Sequence, residues 1–115
     1  MFIDLRQYSI YLRPGPTDMR KQIASLATLV QESLELDPFS KSLFLFSNKS
    51  RNLIKILYWD KTGFCLWSKR LEKHQFPWTE SQERGICLNP AQLQMLLSGI
   101  DFFHAHQPVH YESVV

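Results

Sequence analysis

The sequence predicts an α+β fold: one antiparallel sheet of about four to six strands, packed with a long N-terminal helix and a short C-terminal helix. Three observations carry this. Residues 42–70 hold three β-prone runs separated by turn-forming clusters, which is the pattern of an antiparallel meander. Residues 19–34 repeat apolar side chains at helical spacing. Asn89-Pro90 then opens a second, shorter helical run. With 115 residues, 44% hydrophobic and 13% aromatic, the chain reads as one domain, 1–115, built on large rings. Residues 102–115 read as a loosely ordered tail.

In chain order, SIYLR (9–13) is a short strand stopped by Pro14-Gly15-Pro16. Thr17 or Asp18 is positioned to cap the helix that follows, and Met19, Ile23, Leu26, Val30 and Leu34 form its apolar stripe. Leu36-Asp37-Pro38 ends it, because a residue before proline is pushed out of the helical region. SLFLFS (42–47) is the next strand. SNKSRN is a turn, and NLIKILYW (52–59) alternates Ile54, Ile56 and Tyr58 with Lys55, Leu57 and Trp59. Asp60 to Gly63 turn the chain into GFCLWSKR. Its apolar centre, Phe64 to Trp67, is expected to be a central strand covered on both faces. Phe76-Pro77-Trp78 is expected at a sheet edge, and Ile86-Cys87-Leu88 as a last short strand. AQLQMLLS is the second helix, stopped by Gly99.

Two cysteines, Cys65 and Cys87, are too few for a disulfide framework and read as free thiols of a reducing compartment. The N-terminus alternates polar and apolar residues with no long apolar run. This predicts neither a secretory leader nor a membrane span, hence a cytoplasmic location. The net charge of +2 is too mild to name a partner, but its distribution is uneven. Residues 41–73 hold eight basic side chains against Asp60 and Glu72, whereas the rest of the chain holds five basic and nine acidic residues. Segregation of this kind makes a patch.

The segments PGPTDMRKQ (14–22), LDPFSKSLFLF (36–46) and above all IKILYWDKTGFCLWSKRLEKHQFPW (54–78) resemble one family. It is the small accessory protein, usually called TnpB or Orf2, of bacterial insertion sequences of the IS66 type. The resemblance spans roughly residues 9–101. It implies a role in transposition beside a separate, larger transposase, with DNA binding the usual supposition and no catalytic residues to carry over. Two departures stand out. The family's first hairpin tip is often dense in arginine, but here it reads SNKSRN. Past Asp101 the family commonly continues with tryptophan and basic residues, but here it reads FFHAHQPVH.

The cations Lys49, Arg51, Lys55, Lys69, Arg70 and Lys73 are the candidate nucleic-acid contacts. Neutralising phosphates releases counterions, and such contacts position a protein without reading sequence. The competing reading is a set of solvated charges spread around an aromatic core. Trp67 reads as core. Trp59, Trp78, Phe102 or Phe103 are candidate anchors for a partner protein, the transposase, since interface hot spots favour Trp, Tyr and Arg. That makes a protein-docking module without DNA contact the rival function.

No catalytic, cofactor or metal site is predicted. The acids are scattered, whereas a two-metal strand-transfer site needs several converging carboxylates, so Asp60 reads as a turn residue. His104, His106 and His110 lack a defined fourth ligand for zinc. Cys65 lies in a strand expected to be buried and inert. PGPT leads to a helix start where a phosphate could sit beside Arg20 and Lys21, but the favoured reading is an ordinary capped turn.

Overall fold

Six consecutive buried residues, Ser42–Ser47, form the strand around which the chain is layered. The computed structural model describes residues 3–100 and Phe103. Its strands are β1 (Ser9–Leu12), β2 (Ser42–Ser47), β3 (Leu53–Asp60), β4 (Gly63–Arg70) and β5 (Ile86–Leu88). They form one sheet in the order β4-β3-β2-β1-β5. The helices are α1 (Ile23–Leu29), which runs on into a π-helical turn Val30–Leu34, and α2 (Pro90–Leu97).

The expected meander is present: β2, β3 and β4 pair antiparallel, with Phe44 opposite Leu57 and Leu57 opposite Leu66. The sheet as a whole is mixed, however, because β1 and β2 are parallel neighbours. A parallel pair needs a crossover, and α1 with its π turn supplies it. The alternation of side chains divides β2 between two cores. Phe44 and Phe46 face α1, where Leu26, Val30, Leu34 and Leu57 meet them. Leu43 and Leu45 face α2 with Ile10, Leu12, Ile54, Ile56, Phe76, Trp78, Leu93 and Leu96.

Three further expectations are corrected. The central strand is β2. β4 lies at the edge, and its Phe64, Cys65, Leu66 and Trp67 are half-buried. An apolar run need not be central to be packed on both faces: Phe64 and Leu66 meet the α1-face core and Trp67 the α2-face core, with no further strand beyond β4 among the described residues. The N-terminal helix is shorter than its apolar stripe, because Thr17 and Asp18 are used elsewhere. The Thr17 N–H donates to the Ser47 carbonyl and its hydroxyl accepts from Arg13, while the Asp18 carboxylate holds Arg20. Helix α1 starts at Ile23 with no side-chain cap, so the PGPT turn does not lead directly into a helix N-terminus. Phe76-Pro77-Trp78 is not a strand. It is a buried plug on the α2 face, tied to the strand-end loop by Gly15 N–H donating to Thr79 C=O (2.9 Å).

Helix α2 begins and ends as the sequence predicts. The Asn89 side chain accepts from Gln92 N–H, and the Gln92 side chain accepts from Asn89 N–H, forming a capping box. Gly99, at φ +83°, ends it. Gly99 N–H reaches Leu96 C=O and Ile100 N–H reaches Met95 C=O, the double closure of a Schellman motif.

Two stability outcomes follow. Phe44→Ala should cost about 3–5 kcal/mol, since the cavity opens in a strand covered on both sides. Asn89→Ala should cost about 1 kcal/mol, a fall of roughly 4 °C in melting temperature for a domain of this size. Thermal unfolding followed by circular dichroism measures both, and equal losses would contradict the layering.

Candidate nucleic-acid interface

Strand direction divides the sheet into two ends of different chemistry. At one end β2 turns into β3 and β4 leaves the sheet. Asn48 builds this turn: its Oδ1 accepts from Asn52 N–H (3.0 Å) and Leu53 N–H (3.1 Å), and its amide donates to Asn52 Oδ1 (2.6 Å). Arg51 takes the left-handed conformation, φ +57°. The segment after β4 then wraps this turn. Leu71 N–H donates to Asn52 C=O (2.8 Å), Phe76 N–H to Arg51 C=O (2.6 Å), and the Gln75 amide to Ser50 C=O (2.9 Å).

The outcome is that residues 48–53 and 68–76 lie side by side. They carry Lys49, Arg51, Lys69, Arg70 and Lys73 against Glu72 as their one carboxylate. All five cationic residues are exposed. Arg70 lies on the α1 face opposite Leu53, and Lys69 on the α2 face opposite Ile54, so the charges surround the end of the sheet. Lys69 is also oriented: its Nζ donates to Leu97 C=O (3.1 Å) at the end of α2, where the helix dipole favours a cation.

Lys55 does not join them. It is half-buried, and its ammonium donates to Met19 C=O (2.8 Å) and Lys21 C=O (3.4 Å). This fastens the approach to α1 onto β3. Arg13, likewise expected nowhere as a site, turns inward: its guanidinium donates to Pro16 C=O and Thr17 Oγ1 (both 2.9 Å), and burial pushes its pKa down.

The opposite end is balanced in charge and aromatic. Residues 37–41 and 60–62 hold Asp37 and Asp60 against Lys41 and Lys61. Here the rings of Phe39, Trp59 and Phe64 meet at centroid distances of 5.0–5.2 Å. Phe39, 53% exposed, was not singled out by the sequence. It is held outward by Asp37, whose carboxylate accepts Phe39 N–H (2.9 Å). The Asp-Pro-Phe-Ser order was a readable signal for such a turn. A cavity of about 290 Å³ lies beside it, lined by Tyr8, Phe39, Ser40, Lys41, Trp59, Asp60 and Lys61.

The two tryptophans proposed as anchors therefore separate. Trp59 is half-buried within an exposed aromatic group. Trp78 is only 9% exposed, and its indole N–H donates to the carbonyls of Arg13 and Gly15 (3.1 Å each). A large ring with one polar atom satisfied by main chain is a core element, so Trp78 presents no anchor. Trp67, expected in the core, is half-buried against the α2-face cluster. Cys65 and Cys87 are free thiols; Cys65 is half-buried and faces Tyr58 across the strands, and burial first, then that thiol, raises the Tyr58 pKa. Among the described residues no three His, Cys, Asp or Glu side chains group as metal ligands, and no helix is long and apolar enough to cross a membrane. Phe102, His104, His106 and His110 lie outside the described residues. Phe103 packs on the α2-face core.

Comparison with known proteins adds the biological setting. The chain is 42% identical over 98 residues to the uncharacterized protein y4hO of Sinorhizobium fredii (strain NBRC 101917 / NGR234), covering 85% of each chain. It is 28% identical over 97 residues to the uncharacterized protein y4jC of the same organism, covering 84% of this chain and 83% of that one. No solved structure matches it. Residues 8–107 match the family described as IS66 Orf2 like protein. That match takes in the five strands and the helices α1 and α2 of the described residues, and with it the chain belongs to the IS66 Orf2-like family, whose role is tied to an insertion element.

Proposed function

We propose that this protein is a non-catalytic accessory factor for transposition of a bacterial insertion element, acting in the cytoplasm on the element's DNA. It grips DNA phosphates with the basic end of its sheet, through Lys49, Arg51, Lys69, Arg70 and Lys73. The observation that carries this reading is the wrapping of residues 71–76 around the 48–52 turn, which gathers five exposed cations with a single carboxylate. Rigid presentation lowers the ordering cost of binding, and the Asn48 bonds and the Lys69–Leu97 contact supply rigidity. Contacts to phosphates position the protein without selecting sequence. Strand cleavage then belongs to the separate transposase, with which this protein assembles.

A second reading, docking on the transposase without DNA contact, draws support from the exposed ring of Phe39 beside Trp59 and Phe64. The two readings use opposite ends of the sheet, so they separate by mutation.

Duplex DNA titrated by fluorescence anisotropy at several salt concentrations should show a log–log affinity slope of about −3 to −5. The Lys69→Glu/Arg70→Glu/Lys73→Glu variant, with its fold checked by circular dichroism, should lose most of that slope. Lys41→Glu/Lys61→Glu, at the other end, should change it by less than about one. Weak binding that ignores salt would overturn the DNA reading. Lys55→Met makes a sharper distinction. It should lower stability by about 1–2 kcal/mol, through loss of charge-assisted hydrogen bonds to main chain, while leaving the slope of the folded protein intact. A slope reduced by one with no loss of stability would place Lys55 on the DNA instead.

A further inference from the structure

The two edges of the sheet are unequal. β5 closes one side with three residues, and short edge strands resist pairing with other chains. β4 closes the other side with eight residues, all in continuous register with β3 and with no bulge or proline. Leu71 N–H donates to Asn52 C=O, which fixes the alternation along this antiparallel ladder. The odd-numbered residues Cys65, Trp67 and Lys69 turn their main-chain groups towards β3. Phe64, Leu66, Ser68 and Arg70 turn theirs outward, where no main-chain partner meets them among the described residues. The usual protections are missing along most of this edge. Phe64 to Trp67 are apolar on both faces and half-buried, and charge is confined to the last two residues.

The geometry points to the outer edge of β4 as a docking site for an extended segment of another protein, added as a sixth, antiparallel strand. The chemistry of β4 specifies the segment. Opposite Phe64 to Trp67 it carries apolar or β-branched side chains on both faces, because β4 presents apolar rings and methyls to both. Its N-terminal end, opposite Ser68–Arg70, is acidic. There Arg70 projects on the α1 face and Lys69 on the α2 face, with Lys73 just beyond, so a carboxylate on either face meets a cation. Its other end reaches Phe64, beside the exposed Phe39 and the half-buried Trp59. Main-chain bonds provide the affinity and flanking side chains the selectivity, as in other strand additions. The main-chain groups of this edge take no part in phosphate contact, but Lys69, Arg70 and Lys73 serve both surfaces, so duplex DNA and the docked segment compete for the basic end of β4.

Hydrogen exchange on the full chain, read by nuclear magnetic resonance, tests this. The probe is a capped synthetic peptide of alternating valine and threonine that begins with two glutamates. Without peptide, the amides of Cys65, Trp67 and Lys69 should be protected and those of Leu66, Ser68 and Arg70 should exchange freely. Adding the probe should slow the second group at least about tenfold. A peptide beginning with two lysines should bind at least about tenfold more weakly. Ser68→Pro should abolish the gain, since proline there removes an outward N–H and no ladder bond. N-methylation of the probe's pairing amides should abolish it as well, with the protein untouched. No slowing at saturating probe would overturn the inference, as would equal binding of the two peptides. Protection that grows with protein concentration alone, together with dimer sedimentation, would also overturn it by making a second copy the occupant.

Discussion

The structure depends on burying β2 from both sides. A strand with apolar residues on both faces has to be covered above and below, and it needs a hydrogen-bonded neighbour along each edge. Phe44 and Phe46 bring α1 to one face, and Leu43 and Leu45 bring α2 and the Phe76–Trp78 plug to the other. β1 and β3 take the two edges. Once β2 is fixed, so is the turn at its end, and that turn is the platform for Lys49 and Arg51. Internal bonds at Asn48 then hold a segment that would otherwise be an exposed, repelling loop.

The charges are placed by the same geometry. β4 runs antiparallel to β3, so its basic end must return to the β2–β3 turn, and the chain beyond it closes over Ser50 to Asn52. Cations far apart in sequence thereby come together, while Asp60 and Lys61 are carried to the far end with the aromatic group. Lys55 shows how far register decides role. It sits within the basic stretch, but its flexible stem brings the ammonium to two main-chain carbonyls, and that role is internal.

Much of this was legible in the residues. Turn chemistry at 48–52 and 60–63 gave the meander, and Asn89-Pro90 with Gly99 bounded α2 closely, because caps and turns are local. The central strand was misplaced because hydrophobicity reports coverage and says nothing of hydrogen-bonded neighbours; β4 is apolar on both faces yet lies at an edge. The parallel β1–β2 pair was missed although the strand–helix–strand order contains its signal. For the site, the clustering of Lys49, Arg51, Lys69, Arg70 and Lys73 follows from the hairpins. The inward course of Lys55 and the burial of Trp78 rest on contacts 36 and 65 positions away, which no local pattern encodes. The resemblance carried by the 54–78 block and the family match at residues 8–107 agree on the insertion-element setting. Which surface meets which partner is a matter for the geometry.

The most direct measurement is nuclear magnetic resonance mapping of the labelled protein with a short duplex at low salt. Shifts concentrated in residues 48–53 and 68–76, absent from 37–41 and 60–62, and reversed by added salt are the predicted result. Shifts confined to the aromatic end, or none at saturating duplex, would contradict the basic end as the surface that meets DNA.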